Sequence, residues 1–81
     1  MLLATFNING VNRRLPNLLA WLEQAQPDVV CLQELKATDS QFPNAEIKAA
    51  DYDAAWVGEQ RWNGVAILSR IGEPVVTRRR R

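Results

Sequence analysis

Apolar residues fall into short runs whose spacing changes along the first half of the chain. The sequence LLATFNI at residues 2–8 is mostly apolar on both faces, as is VVCLQ at residues 29–33, and both runs are typical of strands. Between them, four leucines from Leu15 to Leu22 are spaced i, i+3, i+4 and i+7, which is the stripe of an amphipathic helix over residues 12–25. The pattern predicts a β-α-β unit whose two strands are parallel and joined by a right-handed crossover.

Turn-forming and capping residues indicate where this helix begins and ends. Asn9-Gly10 is a strong turn signal, because both residue types tolerate a positive φ. Asn12 is the expected N-cap, which places Pro16 in the first turn, where backbone N–H groups have no intrahelical acceptor. Pro27 then ends the helix, because proline cannot continue it.

The second half of the chain predicts shorter elements. The connection at residues 58–62 is short enough for a hairpin, and Asn63-Gly64 adds a turn signal before the strand that follows. The expected elements are a loop over residues 34–42, a short helix over 43–50, strands over 52–57 and 65–69, and the start of a fifth strand over 75–77. The predicted fold class is therefore α/β.

The predicted helices are too few for the predicted strands. Strands that are apolar on both faces need cover on both faces of their sheet. The sequence offers one strong helix and one short helix, so we expect at least one bare sheet face in the isolated chain. We infer that the sequence is part of a larger object, completed by further chain or by a partner.

The composition is that of one small globular domain. The 81 residues are 47% hydrophobic and 23% charged. The net charge of +1 hides an asymmetry, because four of the ten basic residues are Arg78 to Arg81, so that residues 1–77 carry six positive and nine negative charges. This balance argues against a protein that holds DNA by charge alone.

Missing residue types exclude several classes of site from these residues. The chain has one cysteine, Cys31, and no histidine, which excludes an internal disulfide, a histidine-based zinc site and a Ser-His-Asp triad. No apolar stretch exceeds five residues, which is far short of a membrane span. A lone cysteine suits a reducing compartment, so we expect a cytoplasmic protein.

Polar residues stand where the two predicted parallel strands end. Asn7 and Asn9 close the first strand, whereas Gln33 and Glu34 close the second. Ligands bind at the carboxyl ends of parallel strands, and adjacent strands lie ~4.8 Å apart, so Asn7 and Glu34 are expected to reach one small ion or phosphate. A carboxylate with amide oxygens suits Mg²⁺, which takes one or two carboxylates together with a substrate phosphate. Lys36 is close enough to balance or orient the Glu34 carboxylate.

Plainer interpretations are also open for these residues and for the loop aromatic. Asn9-Gly10 is compatible with a simple turn, and Glu34 with a solvated strand end. Trp62 is either a packed loop aromatic or one that contacts a ligand or a base. The arginines at 78–81 form either a solvated chain end or a nucleic-acid contact.

Three motifs change the weight of these alternatives. They are FNING at residues 6–10, QPDVVCLQELK at residues 26–36 and WNGVAILSR at residues 62–70. In order and spacing they resemble the exonuclease III family, which comprises the Mg²⁺-dependent apurinic/apyrimidinic (AP) endonucleases of the endonuclease/exonuclease/phosphatase superfamily. The resemblance implies the N-terminal portion of a four-layer α/β sandwich, incomplete as an isolated domain, which would also explain a bare sheet face.

The resemblance also implies a function and a set of site residues. The function is that of a DNA-repair hydrolase that cuts the backbone beside an abasic site and trims 3′ ends, with Mg²⁺ or Mn²⁺ as cofactor and duplex DNA as partner. Glu34 matches the family's metal-binding glutamate, Asn7 matches an asparagine of the metal and phosphate network, and Asn9 lies near the metal. The implied DNA contacts are Gly10, Asn12, Arg13, Arg14, Lys36, Trp62 and Asn63.

The sequence also departs from the family pattern. Asn12 stands where several relatives have a basic residue, and Trp62 stands where tyrosine or histidine is common. The family's water-activating aspartate, phosphate-binding histidine and catalytic tyrosine come later in its chain. We therefore expect residues 1–77 to be the N-terminal segment of such a domain, residues 78–81 to be a basic tail or truncation point, and the 81 residues alone to be inactive.

Two other functions fit the same sequence. A non-catalytic module would oligomerise through its bare sheet face and bind nucleic acid through residues 10–14 and 78–81, giving salt-sensitive binding without cleavage. A different member of the superfamily would act on RNA or on phospholipid headgroups, and the residues that distinguish those substrates lie later in the family's chain.

Overall fold

The computed structural model describes residues 1–58 and 64–74, which form a mixed α/β fold. In chain order the elements are β1 (Leu3–Asn7), α1 (Leu15–Ala25), β2 (Val29–Gln33), a short 3₁₀ turn (Asp39–Gln41), α2 (Asn44–Ala49), β3 (Asp53–Gly58) and β4 (Gly64–Ser69). The predicted fifth strand at 75–77 and the connection at 59–63 lie outside the described residues. Among residues 1–58 and 64–74, neither α1 nor α2 has the length and hydropathy of a membrane-spanning helix.

The four strands form one sheet in the order β1-β2-β4-β3. Strands β1 and β2 are parallel neighbours, with Asn7 opposite Gln33 at their carboxyl ends. Strand β4 runs antiparallel to both β2 and β3, so the second half of the chain adds an antiparallel pair to the β-α-β unit. The predicted parallel pair, short second helix and antiparallel pair are therefore confirmed.

Helix α1 begins later than the sequence predicts, and the predicted N-cap is wrong. Residues 11–14 form a turn in which the Arg14 N–H donates to the Gly10 carbonyl (3.1 Å), so that Arg14 becomes the N-cap residue. The side-chain amide of Asn12 instead donates to the Gln41 carbonyl (2.9 Å). Asn12 therefore lies before the first residue of α1, and its side chain joins the turn at residues 11–14 to the 3₁₀ turn that contains Gln41.

The core lies on one face of the sheet. The buried side chains of both helices pack there against alternate strand residues, which point to the same face because the side-chain period of a strand is two. The buried side chains of these elements are Leu18 and Leu22 of α1, Ile47 of α2, Val30 and Leu32 of β2, and Ala66 and Leu68 of β4.

The opposite face of the sheet is open among the described residues. Thr5, Cys31 and Ile67 form one row across this face, where Thr5 is exposed and the other two are half-buried. Leu3 is 65% exposed and Val65 is 40% exposed on the same face. The prediction of one bare sheet face is therefore confirmed for this part of the chain.

Asp28 joins three parts of the chain at the amino ends of β1 and β2. Its carboxylate accepts from the Leu2 backbone N–H (2.7 Å) and pairs with the Arg70 guanidinium (3.0 Å). The hydrogen bond from Leu2 and the neighbouring Arg70 hold the pKa of Asp28 below its usual value. Nearby, the Tyr52 hydroxyl donates to the Pro27 carbonyl (2.6 Å), and burial raises the pKa of Tyr52. These contacts stabilise the end of the sheet that is remote from the polar strand ends.

Candidate active site

Two loops leave the carboxyl ends of β1 and β2 side by side. The Ile8 N–H donates to the Gln33 carbonyl (3.0 Å), and the pairing continues beyond the strands from the Gly10 N–H to the Glu34 carbonyl (2.9 Å). Gly10 has a φ of 103°, a conformation that residues with a side chain rarely adopt, and it turns the first loop toward α1. The two loops therefore hold their polar side chains next to one another.

In the loop that follows β2, two left-handed residues with polar side chains flank a buried leucine. Glu34 and Lys36 are both left-handed, at φ 55° and 52°, whereas Leu35 between them is fully buried. The Leu35 N–H donates to the Gly64 carbonyl (3.2 Å), and its carbonyl accepts from the Val11 N–H (2.8 Å). A left-handed residue other than glycine costs roughly 1–2 kcal/mol, so the anchoring of Leu35 is what holds this loop in shape.

Asn7 orients the carboxylate of Glu34. Its side-chain nitrogen donates a hydrogen bond to Glu34 Oε2, while its side-chain oxygen accepts from the Asn9 backbone N–H (3.0 Å). The second bond fixes which end of the amide faces the carboxylate, because only the nitrogen end is a donor. The Glu34 carboxylate is therefore held at the ends of the two parallel strands, where the sequence predicts it.

Lys36 extends this network by donating from Nζ to Asn9 Oδ1. One carboxylate, two amides and one ammonium thus converge at the surface. Carboxylate and amide oxygens suit Mg²⁺, and an ammonium suits a phosphate. Within the described residues, no group of three acidic, histidine or cysteine side chains converges. The donor set therefore fits a hydrated cation with few protein ligands, and not a cage made of protein ligands alone.

Comparison with known proteins identifies the family. Residues 4–76 match the endonuclease/exonuclease/phosphatase family. The chain belongs to this family. Over 75 residues it is 41% identical to exodeoxyribonuclease III of Haemophilus influenzae, a similarity that covers 93% of this chain and 28% of that protein.

Solved structures of the endonuclease/exonuclease/phosphatase family share the fold. The 3′ phosphatase NExo from Neisseria, bound to a product DNA hairpin, has a TM-score of 0.84 at 40% identity over 86% of this chain and 27% of that one. An AP endonuclease from Archaeoglobus fulgidus has a TM-score of 0.83 at 39% identity over 86% of this chain and 28% of that one. The fold is therefore the N-terminal part of the family fold, as the motifs predict, and the chain spans just over a quarter of the length of these relatives.

The predicted site residues fall into three groups in the structure. One network contains Asn7, Asn9, Glu34 and Lys36. Gly10 is bonded through its N–H to the Glu34 carbonyl, and Arg13 and Arg14 are exposed in the turn that follows it. Asn12 is engaged with the Gln41 carbonyl, and Trp62 and Asn63 lie outside the described residues. The hydrogen-bonded network of Asn7, Asn9, Glu34 and Lys36 is observed. The metal-binding and DNA-binding roles of the site residues stay predictions.

The sequence does not single out two further neighbours of this network, Asn17 and Trp21. Together with Arg14, the N-cap residue of α1, they are spaced i, i+3 and i+7, which places all three on one flank of the helix. They line a cavity of about 340 Å³, here named the α1 cavity, whose opposite wall is formed by residues 7–9. The helical spacing of these residues is the signal that could have located them.

Proposed function

We propose that the chain is the N-terminal, metal-binding segment of a Mg²⁺-dependent DNA-repair nuclease, acting as an AP endonuclease and 3′-5′ exodeoxyribonuclease. The observation that carries the proposal is the contact between Asn7 and Glu34 at the carboxyl ends of two adjacent parallel strands. The names of two relatives, exodeoxyribonuclease III and AP endonuclease, support this reaction class. The reaction is hydrolysis of a phosphodiester bond in duplex DNA, at an abasic site or at a 3′ end.

Glu34 is the metal ligand in this proposal, with the amides of Asn7 and Asn9 beside it. Asn7 donates to one carboxylate oxygen of Glu34, which leaves the other oxygen for the cation. When bound, Mg²⁺ or Mn²⁺ supplies positive charge that stabilises the developing phosphorane and the leaving oxygen. Lys36 donates to Asn9 and adds a second positive charge beside the phosphate.

The loop from Gly10 to Arg14 lies along the DNA backbone in this proposal. Arg13 and Arg14 are exposed, and Arg14 lines the α1 cavity together with Asn7 and Asn9. An exposed guanidinium there can pair with a phosphate. Asn12 fastens the loop by donating to the Gln41 carbonyl. Trp62 and Asn63 are further DNA contacts that the family resemblance suggests.

Proton transfer and transition-state binding of the phosphate are assigned, in this proposal, to groups that residues 1–81 do not supply. Proton transfer by a positioned side chain contributes typically 10²–10⁴-fold, and removing a single oxyanion-binding donor costs about 10²–10³-fold. The bare sheet face, where Leu3 is 65% exposed, is then covered by the remainder of the domain. We therefore expect the 81 residues alone not to nick abasic DNA.

A chimera tests the proposed function. Residues 1–77 replace the matching segment of Haemophilus influenzae exodeoxyribonuclease III, and Mg²⁺-dependent nicking of an abasic duplex is measured. The chimera is expected to nick, and Glu34→Gln to abolish nicking. Asn7→Ala is expected to slow nicking by about 10–100-fold, the usual effect of removing a group that orients a metal ligand. Lys48→Ala, on the exposed surface of α2, is the control and is expected to change nothing.

Two results of this experiment would contradict the proposal. The first is a folded chimera without nicking activity, which would show that this segment cannot supply the metal-binding part of the site. The second is a Glu34→Gln chimera that nicks as fast as its parent, which would show that the Glu34 carboxylate is not a ligand.

A second candidate function follows from the bare sheet face. Leu3 and Val65 are exposed there, and a second copy of the chain could cover them. In that case the protein is a non-catalytic module that self-associates and binds nucleic acid. Sedimentation that shows a concentration-dependent dimer, with salt-sensitive DNA binding and no cleavage, would favour this function. A monomer without affinity for DNA would exclude it.

A further inference from the structure

The α1 cavity has an apolar floor of the size that a nucleoside needs. Ile8 and Leu18 are buried at the floor, and the half-buried ring of Trp21 forms one side. Its volume of about 340 Å³ lies at the lower end of the range for pockets that take small molecules, which begins near ~300 Å³. An aromatic side chain above an apolar floor is a surface on which nucleobases stack.

The rim of the α1 cavity is polar and carries a positive charge. The side chains of Arg14 and Asn17 are exposed there and form no hydrogen bond or ion pair with another residue that the structure describes. A guanidinium suits a phosphate, and an amide offers both a donor and an acceptor to the edge of a base. The rim therefore complements the polar parts of a nucleotide, while the floor complements its base.

The α1 cavity is continuous with the candidate active site. Asn7 and Asn9 line the cavity, and the same two side chains contact Glu34 and Lys36. A nucleotide whose phosphate lies at Glu34 would therefore have the α1 cavity within reach of its sugar and base.

We propose that the α1 cavity is a nucleoside subsite, which takes the sugar and base of one unpaired nucleotide next to the phosphate at Glu34. The base stacks on Trp21, Asn17 contacts its edge, and Arg14 pairs with the phosphate. This proposal rests on the proposed function and adds to it a contact that favours an unpaired nucleotide, either at a strand end or beside a lesion. Such a contact would select the substrate by access to an unstacked base.

A metal-free titration tests the subsite. The 81-residue protein is titrated with 2′-deoxyadenosine 5′-monophosphate in the presence of a chelator, and ¹⁵N NMR follows the indole N–H of Trp21 and the side-chain amide of Asn17. Saturable shifts of both signals are expected. Trp21→Ala is expected to weaken binding by about fivefold to more than a hundredfold, the range for loss of one base–aromatic stack. Trp21→Phe keeps a ring and is expected to restore most of the affinity, which loss of packing alone would not explain.

A second pair of variants separates the phosphate from the base. Arg14→Ala is expected to weaken binding of the monophosphate and to leave binding of 2′-deoxyadenosine unchanged. Lys48→Ala removes the same charge from α2, away from the cavity, and is the matched control. The proposal is overturned if inorganic phosphate competes as well as the nucleotide does, if the Trp21 signal does not move, or if Trp21→Ala binds as the parent does.

The outcome is separable from that of the chimera because the titration needs neither metal nor cleavage. An inactive chimera together with nucleotide binding at Trp21 would reject the proposed function and keep the subsite. An active chimera without nucleotide binding would reject the subsite alone.

Discussion

Gly58, the last residue of β3, lets the chain that follows Lys36 pass directly against the sheet. A Cβ at this position would meet the Ala37 carbonyl oxygen and would lie 2.7 Å from the Thr38 carbonyl carbon and 2.8 Å from the Asp39 nitrogen. All three are backbone atoms, which cannot rotate away as the end of a side chain does. Gly58→Ala is therefore expected to displace the loop that leaves the candidate active site.

The expected loss in the free energy of unfolding is about 2–4.5 kcal/mol. Overpacking typically costs ~1–3 kcal/mol. The displaced loop also loses its two hydrogen bonds from β3, one from the Gly58 N–H to Asp39 Oδ1 (2.6 Å) and one from Trp56 Nε1 to the Asp39 carbonyl (3.1 Å), each worth about 1 kcal/mol. Replacing a strand glycine by alanine stabilises the folded state by roughly 0.5–1 kcal/mol, which offsets part of this loss. The net loss is a large share of the ~4–12 kcal/mol expected for a domain of this size.

Urea unfolding of Gly58→Ala measures this loss, and thermal unfolding checks it with an expected shift of ~4–8 °C for each kcal/mol. The matched control is Ala55→Val, which adds two methyl groups to the same strand on the bare face and is expected to stay within about 0.5 kcal/mol of the parent. If Gly58→Ala unfolds at the same urea concentration as the parent, the chain that follows Lys36 does not pass this closely to Gly58.

Four other substitutions test the contacts that hold the fold together. Because the pKa of Asp28 is lowered, its carboxylate contributes fully to stability at a pH above the usual aspartate pKa of 3.8. That contribution is lost as the pH falls below this value. The difference in Tm between the parent and Asp28→Asn should therefore shrink on acidification. Tyr52→Phe leaves the Pro27 carbonyl without its donor and should cost about 1–3 kcal/mol by urea unfolding, whereas an unchanged midpoint would show that this bond contributes nothing. Leu22→Ala in the core should cost about 2–5 kcal/mol, and Leu3→Ala on the bare face less than about 0.5 kcal/mol; equal losses would show that the two faces are packed alike.

The contact between Asn7 and Glu34 was predictable because it depends on local patterns. The spacing of the leucines between Leu15 and Leu22 defines a crossover helix, and a crossover helix makes the two flanking strands parallel. Parallel strands end at the same edge of a sheet, so the polar residues that follow them must meet. No contact between distant parts of the chain has to be known in advance for this argument.

The geometry that makes the contact useful was not predictable, because it depends on residues far apart in the chain. The left-handed conformations of Glu34 and Lys36 are held by Leu35, which is buried and bonded to Gly64 about thirty positions later. The N-cap prediction at Asn12 failed for a similar reason, since its amide is taken by a loop from the middle of the chain. Propensity cannot foresee such contacts, because tertiary structure decides them.

Paramagnetic Mn²⁺ tests whether Glu34 and the side-chain amides beside it form the proposed site for a divalent cation. ¹⁵N NMR spectra of the 81-residue protein are recorded during a Mn²⁺ titration and compared with those of Glu34→Gln, which keeps the size and one acceptor oxygen of the side chain. If the cation binds at Glu34, the side-chain amide signals of Asn7 and Asn9 are expected to broaden first, and Glu34→Gln is expected to abolish this early broadening. Broadening that begins instead at Glu23 and Glu46, or that is the same in Glu34→Gln, would show that Glu34 does not bind the cation.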